Sequence, residues 1–221
     1  MTTSSGIRAV IFDMDNTLHN LHAAAQAAAD AVSLFCGKEF TLHFTPLNRD
    51  RPSLPGEFKD FFGDEKTASQ AFSLYYTLEL QCLREFDGML EVLQSLKDAG
   101  IRLVVLSNSD GHSVYPRLSL MGLDGFFDAV FVRESFAEIK PSPAVFSPVL
   151  DFLGMDAAEV LMVGDSRKKD VAAARACGIS AMHAWYGSWE DKDGVCAADS
   201  PEDILQFVFG GAKAASSEGA V

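Results

Sequence analysis

Five short apolar runs punctuate the chain, at residues 9–12, 101–106, 129–132, 160–163 and 179–184. None alternates apolar with polar positions, so each predicts a strand buried on both faces, as in a parallel sheet. The stretches between them have helical spacing. Residues 89–99 place Leu90, Val92, Leu93 and Leu96 on one face, and Gly100 suits the stop. Residues 114–121 predict a helix that tolerates Pro116 only in its first turn. Ser142 and Pro143 suit the N-cap and first position of another, which Pro148 should kink at the Ala144 carbonyl. A helix over 170–177 precedes Gly178. A last one over 201–209 is expected to be capped by Ser200, with Glu202 and Asp203 in its first turn. Strands alternating with helices of this length predict an α/β fold, a Rossmann-like parallel sheet with helices on both faces.

The pattern is interrupted once. After Thr17 no buried run appears for about seventy residues. Residues 23–36 are Ala-rich and helical, with Gly37 as a stop. Residues 43–57 carry Pro46, Pro52, Pro55 and Gly56 and predict loop. Phe58, Phe61 and Phe62 suit one face of a short helix. Residues 67–86 predict a long helix with Ala71, Leu74, Tyr75, Leu78 and Cys82 on one stripe. The expected organisation is a core formed by residues 1–19 and 87–209, a helical insert at 20–86 and a small polar, disordered tail at 210–221.

Composition narrows the partners. The formal net charge is −13, which argues against nucleic acid or an anionic membrane surface. An anionic small molecule remains compatible if a metal or a few cations reverse the sign locally. The four cysteines are dispersed without C-x-x-C spacing, so buried free thiols in a reducing cytoplasm are expected. No signal-peptide core and no apolar run of transmembrane length is present. Monomer and homodimer are both compatible with the sequence.

Chemistry-bearing residues collect where the runs end. Asp13 and Asp15 follow the first, Ser107 and Asn108 the second, Asp165 the fourth. Ligands of open α/β sheets bind at that edge. Extended geometry turns Asp13 and Asp15 to one side and Met14 to the other. Two carboxylates that close repel unless stabilised, and a hard cation bound through oxygen is the usual stabiliser. One would then be a nucleophile and the other a general acid/base; an acidic loop after a strand is the plainer alternative.

The stretches Asp13-Met-Asp-Asn-Thr-Leu18, Leu106-Ser107-Asn108, Lys140-Pro141 and Gly164-Asp165-Ser166 with Asp170 resemble the four ordered motifs of the haloacid dehalogenase superfamily. The resemblance spans Val10 to Ala184, apart from the insert. It implies a Rossmann-like core with a small helical cap inserted after the first strand. It implies Asp13 as nucleophile and Asp15 as general acid/base. It implies Ser107 as a phosphate-binding hydroxyl, the alternative being a cap for the next helix, and Asn108 as a sharer of those contacts. Lys140 would balance charge on the phosphoryl oxygens and the nucleophile. Asp165 would bind Mg2+ together with the Asp13 carboxylate and the Asp15 main-chain carbonyl, while Asp170 would orient Lys140 or metal-bound water. Thr17 either steadies the site or only packs.

The acid at Asp15 favours phosphoryl chemistry over carbon–halogen cleavage, because an alkoxide leaving group needs a proton and a halide does not. The resemblance therefore implies a magnesium-dependent phosphatase of a small phosphorylated metabolite, of the phosphoglycolate, sugar-phosphate or nucleotide class. A phosphomutase of the β-phosphoglucomutase type is the alternative. Arg167, Lys168 and Lys169 are more basic than the motif suggests, as solvated helix-start cations or as a rim attracting anions. Arg49 and Arg51 either pair a second anionic group of the substrate or are solvated. His19, His22 and His43 are expected to be ordinary residues of the insert.

Overall fold

The computed structural model describes residues 6–40, 54–192 and 196–210. Arg49 and Arg51, His43, the expected loop as far as residue 53 and the tail beyond Gly210 lie outside them.

Six strands form one sheet: β1 (Ala9–Phe12), β2 (Arg102–Leu106), β3 (Ala129–Phe131), β4 (Val160–Gly164), β5 (Ser180–Ala184) and β6 (Ala197–Ala198). Their order is β3-β2-β1-β4-β5-β6, and every neighbouring pair is parallel. The chain builds outward from β1 through β2 to β3, then crosses to the other side of β1 for β4. Phe12 thus pairs with both Val105 and Val163, and the switch point opens a crevice at the carboxyl end of β1. The first five strands fall on the five apolar runs. β6 has only two alanines and no run to announce it; its place beside β5 is fixed by the His183 N–H donating to the Cys196 carbonyl at 2.8 Å.

Both faces are covered. Val10, Phe12, Leu103, Val105, Leu161 and Val163 pack with α4 (Met89–Asp98), α5 (Gly111–Leu120) and α8 (Glu202–Phe209). Ala9, Ile11, Val104, Leu106 and Met162 face α6 (Phe146–Leu153) and α7 (Ala173–Ala176). Burial on both sides is why the strands read as unbroken apolar runs.

Several helix starts differ from expectation. Asp110 caps α5 by accepting from the Ser113 N–H, so α5 begins at Gly111 and Pro116 falls in the second turn. Pro148 kinks nothing. Residues Pro143–Val145 make a 3-10 turn, α6 starts at Phe146, and Pro148 occupies its third position, where an N–H has no intrahelical partner to lose. The stretch expected as one helix over 170–177 begins as a π-helical turn, Arg167–Ala172, before α7. Ser200 does not cap α8 with its side chain; the Asp203 carboxylate instead accepts from the Asp199 and Ser200 N–H groups.

The interruption is helical: α1 (Leu21–Cys36), α2 (Leu54–Phe62) and α3 (Glu65–Cys82). They share a separate apolar cluster of Ala25, Ala28, Ala29, Val32, Phe40, Phe58, Ala68, Ala71 and Tyr75. Asn20 and Asp64 cap α1 and α3 through their side chains, and α1 ends on Gly37 in the left-handed region. The phenylalanines of α2 share one face as expected: Phe58, Phe61 and Phe62 all pack against the Phe40 ring, at centroid distances of 4.5, 5.0 and 6.1 Å, with Phe61 at the exposed edge. The α3 stripe also departs from expectation: Cys82 is exposed and Glu79 is buried in its place. The segments entering and leaving the insert pair with each other, Asn20 N–H to the Arg84 carbonyl and Phe86 N–H to the Leu18 carbonyl.

All four cysteines are free, but Cys82 and Cys196 are exposed rather than buried. Among the described residues no helix is long and apolar enough to cross a membrane.

Phe146 is fully buried where α6 meets the sheet. Phe146→Ala is expected to destabilise the fold by roughly 3–5 kcal/mol, because a cavity adds to the lost transfer free energy. The shift in urea midpoint at unchanged slope measures it.

Candidate active site

The carboxyl end of β1 begins the site. The Asp13 N–H donates to the Val163 carbonyl at 2.9 Å, so the strand geometry persists one residue beyond Phe12. The chain then turns back, with the Met14 carbonyl accepting from the Thr17 and Leu18 N–H groups. The turn puts Asn16 at φ 59°, a left-handed conformation that asparagine tolerates better than most residues. Its side-chain carbonyl accepts from the His22 N–H at 3.1 Å and ties the turn to α1. Gly187 presses on the same turn; a Cβ there would lie 1.9 Å from the Asn16 carbonyl oxygen, so only glycine fits.

Lys140 reaches this edge from the loop before α6. Its ammonium is buried and donates to Asp13 Oδ1 at 2.5 Å and to Asp170 Oδ1 at 2.6 Å. Asn108 fixes its main chain, donating to the Lys140 carbonyl at 2.8 Å and accepting from the Lys140 N–H at 2.9 Å. One N–H and the carbonyl of the Asn108 amide are thereby committed, which makes it a clamp on Lys140 with a second N–H left to donate. Asp170 is buried in the π-helical turn, and its second oxygen accepts from the Ser166 N–H at 3.0 Å. Asp165 follows β4; its carbonyl accepts from Ser188 Oγ at 2.6 Å and lies 2.9 Å from His183 Nε2.

Carboxylate oxygens of Asp13, Asp165 and Asp170 lie within 4.8 Å of one another. Three carboxylates face one ammonium, a deficit of two positive charges. The donor set is all oxygen, which suits a hard divalent cation. Burial pushes the Asp13 carboxyl above its ordinary range; Lys140 pulls it back only in part, and Asp170 adds to the rise. Burial acts to lower the Lys140 ammonium, but the Asp13 and Asp170 charges outweigh it and hold that ammonium above its usual value.

Asp15 stands apart from this cluster. Its Oδ1 accepts from Arg117 Nη1 at 3.1 Å and lies 3.2 Å from His19 Nε2, while Oδ2 accepts from Ser109 Oγ at 2.9 Å. Burial acts to raise its carboxyl, but the Arg117 charge, helped by His19 and Ser109, outweighs it and holds the carboxyl well below the usual range. Ser107 is buried and its hydroxyl oxygen accepts from the Ser109 N–H at 3.1 Å, the capping geometry of a tight turn. Thr17 is buried, its hydroxyl has no hydrogen-bond partner among the described residues, and its carbonyl accepts from Tyr186 OH at 3.0 Å. Of the basic trio after Asp165, Arg167 pairs with Glu190 at 2.9 Å and Lys168 is exposed.

Sequence reasoning missed Arg117, Glu79, Ser109 and the role of His19. Arg117 Nη2 donates to Glu79 Oε1 at 2.7 Å, and Tyr75 OH donates to Glu79 Oε2 at 2.6 Å. His19 is fully buried against Asp15, not an ordinary residue of the insert. One signal was available. Ala68, Ala71, Tyr75 and Glu79 recur at helical spacing, and a carboxylate on a buried stripe demands a cationic partner.

Residues 7–178 match the family model described as haloacid dehalogenase-like hydrolase. The phosphoglycolate phosphatase of Pseudomonas putida is 28% identical over 191 residues, covering 81% of this chain and 70% of that one. The glyceraldehyde 3-phosphate phosphatase of Methanocaldococcus jannaschii is 26% identical over 202 residues, covering 85% and 89%. A putative beta-phosphoglucomutase from Thermotoga maritima has the same fold, with a TM-score of 0.75 over 90% of this chain and 97% of that one, at 24% identity.

A Cβ on Gly164, the last residue of β4, would lie 2.3 Å from Asp170 Cγ. Gly164→Ala is expected to displace Asp170 and with it Lys140, lowering aryl phosphate hydrolysis by roughly 10²-fold, the scale of a small misplacement in a reacting site. Gly125→Ala, with open space around its Cβ, is the control that should leave the rate unchanged.

Proposed function

We propose that this chain, which belongs to the haloacid dehalogenase-like hydrolases, is a magnesium-dependent phosphatase of a small phosphorylated metabolite, working through an aspartyl-phosphate. The observation that carries the reading is the buried Lys140 ammonium held between Asp13 and Asp170 at the carboxyl end of β1, with Asp165 beside them.

The roles follow from position. Asp13 offers a carboxylate at the mouth of the crevice and is the nucleophile toward phosphorus. Lys140 neutralises it enough for an anionic ester to approach, and then faces the charge on the phosphoryl oxygens. A fixed cation in a buried site is preorganised for that purpose. Asp170 and Asn108 hold Lys140 from two sides, one by charge and one through the main chain. Asp13, Asp165 and the Asp15 carbonyl would hold Mg2+, which supplies positive charge to the phosphoryl group when bound. Asp15, ionised while Arg117 holds it, would take up a proton from solvent before giving it to the leaving oxygen, and later takes a proton from the attacking water. Ser107 donates its O–H to a phosphoryl oxygen while its oxygen keeps accepting from the Ser109 N–H. Thr17 steadies the turn that carries Asp15. The balance favours positioning and charge stabilisation over covalent chemistry by the protein, as phosphoryl transfer generally does.

The relatives named as phosphoglycolate and glyceraldehyde 3-phosphate phosphatases support substrates with a phosphate on a two- or three-carbon unit. The α1–α3 insert stands where a cap over the crevice would select the leaving alcohol, and the protein is read as cytoplasmic and free of nucleic acid. A mutase would instead return the phosphoryl group to a sugar.

A panel of phosphate monoesters with Mg2+ tests the reading. Phosphate should be released, and no isomer should accumulate from a hexose phosphate; isomer without phosphate would favour the mutase. Asp13→Asn should abolish turnover, because an amide cannot form the acyl-phosphate, while circular dichroism stays unchanged. Removing magnesium with excess chelator should stop the reaction, and calcium should restore it poorly, since calcium prefers more ligands at longer distances. Full activity in chelator would overturn the metal assignment.

A further inference from the structure

Arg117 lies on α5 of the sheet-bearing part and Glu79 on α3 of the insert, yet one guanidinium fork joins them to Asp15. Nη1 takes Asp15 and Nη2 takes Glu79, with the two carboxylates on adjacent teeth of a rigid plane. Both residues are buried, at 7% and 3% exposure. Tyr75, fully buried in the insert's apolar cluster, fixes the other oxygen of Glu79. A chain of charge-assisted contacts therefore runs from the interior of the insert to the Asp15 carboxylate.

Stability alone is a weak reason for such a chain. Burying charges is costly, and apolar residues of similar volume often serve as well or better. The geometry offers another reason. Asp15 is held from three directions: by His19 in the segment entering the insert, by Ser109 after β2, and by Arg117. The backbone of His19 pairs with Glu85, so the two connecting segments meet beside Asp15. Of the three holds, the one through Arg117 reaches into the insert itself, at Glu79. A planar guanidinium cannot turn toward one carboxylate without changing its angle to the other.

We propose that Arg117 is a positioning residue for Asp15 and that Glu79 makes its orientation depend on the seating of the insert. The inference rests on the reading of Asp15 as the group that protonates the leaving oxygen. When α3 is seated, Glu79 fixes the fork and the fork fixes the carboxylate. When α3 moves away, the fork loses one tooth and Asp15 loses its defined direction. The carboxylate is then aimed in one direction only in the state in which the insert covers the crevice; because the same guanidinium also lowers the carboxyl, a loss of leaving-group protonation on removing Arg117 reports lost direction and not lost acidity.

The test exploits leaving groups. An aryl phosphate such as para-nitrophenyl phosphate expels a stable anion and needs little protonation, whereas β-glycerophosphate expels an alkoxide and needs a well-placed acid. kcat/KM reports the steps through release of the leaving group. Arg117→Met is expected to lower kcat/KM on β-glycerophosphate by about 10²-fold and on the aryl ester by less than about fivefold. Arg117→Lys should recover part of the loss. Glu79→Gln, which keeps shape and hydrogen bonding, should show the same selectivity at about tenfold. If Arg117→Met fails to fold by circular dichroism, the same comparison of esters is made with Glu79→Gln and with the double variant Glu79→Gln with Arg117→Met, which leaves no unpaired charge at the Glu79 position. Equal losses on both esters, or none, overturn the proposal while leaving the phosphatase reading intact. A wild-type protein that hydrolyses neither ester overturns the phosphatase reading and this inference with it.

Discussion

The Lys140 ammonium between Asp13 and Asp170 is the contact on which the site depends. It draws together three distant parts of the chain: the end of β1, the loop before α6 and the π-helical turn after β4. Each carboxylate alone would be too costly to bury beside the other. With Lys140 between them the cluster still carries a deficit of positive charge, in an all-oxygen setting that suits a hard divalent cation.

The fold delivers these groups by simple means. β1 is central, so its carboxyl end is flanked by β2 and β4, and three motif-bearing loops meet there without any long excursion. The close approaches depend on glycine. Gly187 lets the loop after β5 rest on the Asn16 turn, and Gly164 leaves room for Asp170. The π-helical turn serves the same end: it swings Asp170 so that one oxygen meets Lys140 and the other the Ser166 N–H. Irregular backbone of this kind is frequent at functional sites.

The insert has a separate apolar cluster, and its alanine-rich α1 lies close against α3. One of its contacts with the site is ionic. Glu79 and Arg117 make a directional contact, and a directional contact transmits position where an apolar one would slide. His22 stacking on Trp189, with ring centroids 3.7 Å apart, adds a second tie between α1 and the loop after β5.

The sequence by itself determined the sheet. Unbroken apolar runs admit few structures besides strands buried on both faces, and the acids and hydroxyl at their ends had to gather on one edge because parallel strands end on the same side. Asp13 and Asp165 were legible for that reason, whereas Lys140 and Asp170 were legible only through the resemblance of their motifs. Helix starts were less so, because local caps such as Asp110 and a 3-10 turn before Phe146 move a boundary by a few residues and decide whether a proline disrupts anything. What only the tertiary structure decided are the partners of polar groups. Whether Asn108 clamps Lys140, and whether Asp15 stands free or in the grip of Arg117, depends on residues 32 and 102 positions away. Hydrophobic periodicity records which face of an element is buried. It carries no record of which charge on another element that face will meet, because that is fixed by packing between elements far apart in the chain.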